Sequence, residues 1–170
     1  GEKVLLIDLD PQGNASTGLG VSTQVRGAGT YALLLEEPAL DAVTQPTELS
    51  NLTIVPAEPD LAGAEIELVG VEQREYRLRE ALAPVRAGTT GHTVVLIDCP
   101  PSLGLLTLNG LVAADGVLVP LQCEFFALRG LSMLLDTLHK VKRRLNPQSE
   151  ILGILPTMFN SRTRHAQEVL

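Results

Sequence analysis

The sequence predicts an α/β fold: a three-layer, mostly parallel sheet flanked by helices. Short, continuous apolar runs recur along the chain, and two of them end in acid. This is how strands buried on both faces read. Segments with helical periodicity alternate with these runs, an order that implies right-handed crossovers and a parallel, helix-covered sheet. Hydrophobic residues make up 45% of the 170 residues and aromatics only 3%. The core must therefore be built from Leu, Val, Ile and Ala, the residues that fill such sheets.

Val4-Leu5-Leu6-Ile7 is the first strand, running from Lys3 to Asp8. A loop holding Pro11, Gly13, Gly18 and Gly20 follows. Thr30 to Glu36 reads as a short helix with Thr30 as N-cap and Pro38 as its stop. Asp41 to Leu49 is weakly patterned, a helical turn and a loop. Leu52 to Pro56 is a second strand. Asp60 to Val69 and Glu72 to Ala83 are two helices, the latter carrying a solvated Glu75–Arg79 pair. After a turn at Gly88 to Gly91, Thr93 to Asp98 is a third strand, which Pro100 and Pro101 end. Leu103 to Ala114 is a helix closed by the Asp115-Gly116 turn, and Val117 to Pro120 a fourth strand. Phe126 to Leu145 is the longest helix, with Leu128, Leu131, Leu135, Leu138 and Val141 on one stripe. Asn146-Pro147 breaks it. Ile151 to Leu155 is a fifth strand, and a further helix starts at His165.

The chain is the size of one domain, 1–170. Its formal charge of -7 argues against a broadly basic nucleic-acid surface. Cys99 and Cys123 follow no metal or disulfide spacing and read as reduced, buried and structural. His92, His139 and His165 follow no ligand spacing. There is no signal peptide and no uninterrupted apolar span, so the expectation is a cytoplasmic protein without a membrane span. The start on a strand without Met and the end within a helical pattern are both read as truncations.

The chemistry lies at the strand ends. Asp8 and Asp10 close one strand and Asp98 another, and in an open α/β sheet ligands bind outside the carboxyl ends of the strands. Acids converging there bind a cation or repel an anion. With a nucleotide, magnesium resolves the conflict by bridging carboxylates and phosphates. Four apolar residues ending in Asp98 also match the Walker B pattern. An apolar strand ending in Asp is a weak signal alone, because many such residues are turn formers or caps.

Longer strings are far more specific. Val4 to Ser16, with Asp8-Leu9-Asp10-Pro11-Gln12-Gly13-Asn14 at its centre, closely resembles the second strand and A-prime motif of ParA/Soj partitioning ATPases. Val94 to Gly104, containing Asp98-Cys99-Pro100-Pro101-Ser102, resembles their Walker B strand and switch loop. Val119 to Glu124 and Gly153 to Thr163 also resemble that family, in family order.

The resemblance implies a P-loop NTPase-like fold and ATP and Mg²⁺ as cofactors. It implies that Asp10 orients the attacking water near the metal and that Asp8 supports the phosphate loop and metal shell. Asp98 becomes the magnesium-linked acid. Pro101 and Gly104 become nucleotide-side switch residues, with Gly104 reporting the γ-phosphate. Asn160 contacts adenine, a role that suits an amide able to donate and accept. The implied assembly is an ATP-dependent homodimer that binds DNA non-specifically. A ParB-type centromere-binding partner would stimulate hydrolysis and release that dimer.

One departure stands out. The family's phosphate loop, Lys-Gly-Gly-Val-Gly-Lys-Thr-Thr, does not occur in these residues. Their only lysines are Lys3, Lys140 and Lys142, none after a glycine-rich loop. The backbone N–H cradle, both lysines and the magnesium-binding Thr are thus lacking, and the stretch alone is expected to bind ATP poorly. Lys140, Lys142, Arg143 and Arg144 read as charge complementing a helix C-terminus, with a DNA-facing role as the alternative, to which Arg162 and Arg164 would add. Arg129 stands where the family often has an acid. The Asp60 to Val69 helix reads as core packing, with a place near the parent's dimer interface as the alternative. Competing functions are a MinD-like positioning ATPase, which would need a C-terminal amphipathic helix for the membrane, and a non-catalytic interaction module. A dehydrogenase is disfavoured because no Gly-x-Gly-x-x-Gly follows a strand.

Overall fold

The structure, a computed structural model, describes residues 1–22, 27–122 and 127–158, with only the backbone at 127–129. The chain divides into two compact units, Gly1–Ala113 and Ala114–Leu170.

The first unit is built on a four-stranded sheet. Strand β1 (Val4–Asp8) lies inside it, parallel to β3 (Leu52–Val55) on one side and to β4 (Val94–Asp98) on the other. A two-residue strand, β2 (Gln45–Pro46), adds antiparallel to β3, giving the order β2-β3-β1-β4. Alternate residues of β1 face one aliphatic core. Leu5, Ile7 and Leu9 are fully buried there with Leu33, Leu34, Leu61, Leu68, Leu78 and Leu106. The helices that supply these residues are α2 (Thr30–Leu35), α4 (Leu61–Glu67, continued by a 3-10 turn), α5 (Arg77–Ala81) and α7 (Leu105–Ala113). Short helices α1 (Asn14–Gly18), α3 (Leu40–Val43) and α6 (Ala83–Arg86) complete the unit.

The second unit pairs β5 (Gly116–Gln122) with β6 (Glu150–Thr157) in parallel, with an irregularity between Val117 and Leu118. The crossover helix between them is α8 (Ala127–Arg144), whose Leu138 and Val141 are buried. Asn146 stops that helix, and its side-chain amide donates to the Ala114 carbonyl at 2.8 Å. Among the described residues no helix is long and apolar enough to cross a membrane.

The α/β class and the parallel pairings agree with the sequence, while several boundaries differ. The loop after β1 contains α1. The Glu72 to Ala83 segment becomes helical only at Arg77, so Glu75 and Arg79 do not share a helix. The structure pairs Arg77 with Glu37 instead. Thr30 is the first residue of α2, not its cap. Its hydroxyl donates to the Asp8 carbonyl at 2.7 Å, and Gly29 holds the cap position. Cys123 and the segment from His165 lie outside the described residues.

Gly29 cannot cap with a side chain, so a distant residue does. The buried Glu58 carboxylate accepts from Gly29 N at 2.8 Å and Ala32 N at 3.1 Å through Oε1, and from Tyr31 N at 3.0 Å through Oε2. This fills the orphan N–H groups of the first turn and places an anion at the positive end of the helix. A Cβ at Gly29 would lie 2.0 Å from the Pro56 carbonyl oxygen, so the helix start is pressed against the end of β3. Removing the carboxylate strands three N–H groups. Glu58→Ala is expected to lower unfolding stability by about 2–4 kcal/mol, and Glu58→Gln by less. Urea denaturation of the chain and the two variants measures this.

Candidate functional site

Parallel register brings Asp8 and Asp98 side by side at the carboxyl ends of β1 and β4. The pairing continues one residue further, where Leu9 N donates to the Asp98 carbonyl at 2.8 Å. The two acids differ sharply in environment. Asp8 is fully buried. Its Oδ2 accepts from Ser16 N at 2.8 Å and Ser16 Oγ at 2.5 Å, and its Oδ1 from Asp10 N at 3.3 Å. Ser16 Oγ in turn accepts from Ala57 N at 3.1 Å. One carboxylate thus joins β1, α1 and the segment after β3. Its oxygens are committed within the fold, which makes it a support for the site rather than an open ligand.

Asp10 begins the turn that leads into α1. Its Oδ1 accepts from Gln12 N at 3.0 Å, and its carbonyl from Gly13 N at 2.8 Å. Gly13 has φ +63°, a left-handed conformation that favours glycine. The Pro11-Gln12-Gly13 sequence is therefore a turn that fixes where the Asp10 side chain starts.

Asp98 is exposed, and among the described residues its carboxylate has no hydrogen-bond partner. Its pKa is raised, first by desolvation and then by the charges of Asp8 and Asp10. The result is an acid with lone pairs to spare in a negative field, which suits it to a cation. Among the described residues no group of three or more His, Cys, Asp or Glu side chains is arranged to hold a metal ion unaided. A metal held by Asp98 and Asp10 would therefore need further ligands from outside this group.

The loop after Asp98 is pinned from α7. Thr107 Oγ1 donates to the Ser102 carbonyl at 2.5 Å and lies 3.3 Å from that of Pro100. Pro101 is exposed on this loop, and Gly104 ends it against Glu65 of α4. Cys99 is a free, half-buried thiol facing α7, where a Cβ at Gly110 would lie 2.6 Å from its sulfur. Burial, then the Asp98 charge, pushes its pKa up to about 12. The structure thus brings together Asp8, Asp10 and Asp98, with Pro101 and Gly104 on the adjoining loop. Asn160 lies outside the described residues, as do Glu124, Arg162, Arg164 and the Arg129 side chain. Sequence reasoning gave no role to Ser16, Glu58, Glu65 or Asn109. Each acts on a partner at least eight residues away, and no local spacing marks it.

Fold and site define a P-loop NTPase-like α/β domain. A family model described as an AAA domain matches residues 1–151. The chromosome partitioning protein ParA of Myxococcus xanthus is 52% identical over 168 residues, covering 99% of this chain and 58% of that protein. ParA of Caulobacter vibrioides is 52% identical over 170 residues, with 63% of its length covered. The chain belongs to this AAA-domain family, alongside its ParA/Soj chromosome-partitioning ATPases. It spans about three-fifths of the length of these curated relatives. The structure of a cobyrinic acid a,c-diamide synthase from Mycobacterium smegmatis, with bound ATP analogue and magnesium, superposes with TM-score 0.91 at 45% identity. The match covers 99% of this chain and 68% of that one. A Borrelia burgdorferi plasmid partition protein shares the fold, with TM-score 0.83 at 24% identity.

Two outcomes follow from this geometry. Ser16→Ala removes the hydroxyl that donates to the buried Asp8 carboxylate, and is expected to cost about 2–4 kcal/mol in denaturant unfolding. Asp98 has a folded pKa above its ordinary value of 3.8. Its stabilising contribution is therefore complete below that value and is lost as pH rises through the folded pKa. Asp98→Asn, neutral at every pH, should be more stable than the parent at pH 7. The difference should vanish in unfolding measured below pH 3.8.

Proposed function

We propose that these residues are the central part of an ATP-hydrolysing partition protein that uses magnesium. The observation that carries this reading is the pairing of two strand-end acids in one register, the exposed Asp98 beside a buried, hydrogen-bonded Asp8, with Asp10 on the turn that leads from Asp8 into α1. Magnesium, when bound, would neutralise phosphate charge and polarise the bond to be broken. Asp98 and Asp10 would hold it, Asp98 most simply through water. Asp10 would also orient the attacking water, and Asp8 would keep the turn and α1 in place. Pro101 and Gly104 would lie on the nucleotide side, with Gly104 responding to the γ-phosphate and Asn160 contacting adenine.

Support for nucleotide use comes from the mycobacterial neighbour, whose structure contains an ATP analogue and magnesium. That neighbour is named as a cobyrinic acid a,c-diamide synthase. The partition reading is preferred because the curated relatives at 52% identity carry that function in their names. In this reading ATP bridges two copies of the protein and the dimer binds DNA non-specifically in the cytoplasm, at the nucleoid. A ParB-type centromere-binding protein stimulates hydrolysis and releases the dimer.

These activities belong to the whole protein. The 170 residues contain no Gly-rich phosphate loop and keep three acids near the phosphate position, so the stretch alone is expected to bind ATP weakly. Magnesium-dependent binding at micromolar ATP by the purified 170-residue chain would refute that. In a protein carrying these residues together with a phosphate loop, Asp10→Ala should reduce hydrolysis about a hundredfold or more while sparing ATP binding. Turnover at the parent rate would remove Asp10 from its assigned role.

A further inference from the structure

Helix α7 starts directly after the loop that follows Asp98, and it lacks a cap of its own. Gly104 sits in the capping position, since its carbonyl accepts the first helical bond, from Leu108 N at 3.0 Å. A Ser, Thr, Asp or Asn there would satisfy the free N–H groups of the first turn, whereas glycine cannot. The acceptor comes from another helix instead. Oε1 of Glu65, on α4, accepts from the Leu106 N–H at 3.2 Å. The same carboxylate fills the space a side chain at 104 would need: an ideal Cβ would lie 2.0 Å from Oε1, 2.8 Å from Cδ and 2.9 Å from Oε2. Gly104 and Glu65 are therefore complementary, one supplying room and the other the cap. Helix α4 is itself anchored, because Tyr31 of α2 donates its hydroxyl to Glu67 at 2.9 Å.

We propose that Glu65 is the positioning residue of the loop 100–104, supplying from α4 the helix cap that Gly104 cannot, so that the loop and α4 keep or change their positions together. Thr107 ties the loop to α7, and Glu65 ties the start of α7 to α4. A displacement at Gly104 breaks the Leu106 bond and releases the Glu65 side chain. The regulatory meaning rests on the function proposed above. If Gly104 responds to a γ-phosphate, α4 is the element that receives the response.

The test uses the 170-residue chain and four variants, Glu65→Ala, Glu65→Gln, Gly104→Ala and the Glu65→Ala/Gly104→Ala double, with amide exchange followed residue by residue by NMR. Glu65→Ala is expected to speed exchange of the Leu106 amide about five- to tenfold. Glu65→Gln keeps an acceptor oxygen in place and should stay near the parent. Gly104→Ala should match Glu65→Ala, because the new methyl group expels the carboxylate. The double variant should exchange and unfold like Glu65→Ala alone, since removing the carboxylate removes the clash. Unchanged Leu106 protection in Glu65→Ala, or a double variant in which the two effects add in full, would overturn the proposal. Parent-like exchange at Ile7 and Ile54 shows the sheet intact. Should Glu65→Ala lose the sheet, the comparison of Glu65→Gln with Gly104→Ala decides alone: both parent-like, or both fast, overturns it. No arm uses nucleotide, so a failure of the ATPase reading leaves the result standing.

Discussion

A carboxylate removed from water is costly unless hydrogen bonds replace its hydration. Asp8 meets that requirement by drawing the backbone and hydroxyl of Ser16 and the backbone of Asp10 onto its two oxygens. The same contacts set the path of the chain after β1. They hold α1 against the strand end, bring the segment after β3 to Ser16, and fix the turn from which Asp10 projects. The Asp8 carbonyl meanwhile receives the Thr30 hydroxyl, placing the start of α2. On the neighbouring strand Asp98 stays exposed, with no hydrogen-bond partner for its carboxylate among the described residues.

The helices of the first unit share a second constraint. None of α2, α5 and α7 is closed at its N-terminus by its own capping side chain. Glu58 closes α2, Glu65 closes α7, and Asn109 Oδ1 accepts from Leu78 N at the start of α5 at 3.1 Å. Asn109 also donates to the carbonyls of Arg74 and Leu105. Glycines at 29 and 104 provide the clearance two of these acids need. Helix starts are thus decided by tertiary contact, and each contact works only if two distant segments are both in place.

This is also why the sequence revealed the strands and the acids better than the helix limits. Apolar runs ending in Asp8 and Asp98 carry their burial and their chemistry in consecutive residues, and the alternation with helices predicts a parallel sheet, whereas the direct pairing of β1 with β4 is a finding of the structure. Thr30 looks like a cap because Thr commonly caps. It does not cap here because Glu58, far along the chain, takes the N–H groups first. Glu72 to Tyr76 has helical composition, yet the helix begins at Arg77, where Asn109 offers an acceptor. The supporting role of Ser16 was equally hidden, since a serine eight residues after an aspartate is no recognisable motif. The two-residue β2 is too short for any periodicity to announce.

The close approach of α7 to β4 at Gly110 has a consequence for redox chemistry. It presses a helix backbone onto Cys99 and keeps the thiol protonated, with a pKa of about 12. At neutral pH the thiolate, the form that oxidants and alkylating reagents attack, is therefore scarce. A cysteine one residue from Asp98 is thereby left a weak nucleophile. A thiol-directed label is expected to react slowly here, although the position adjoins the candidate site.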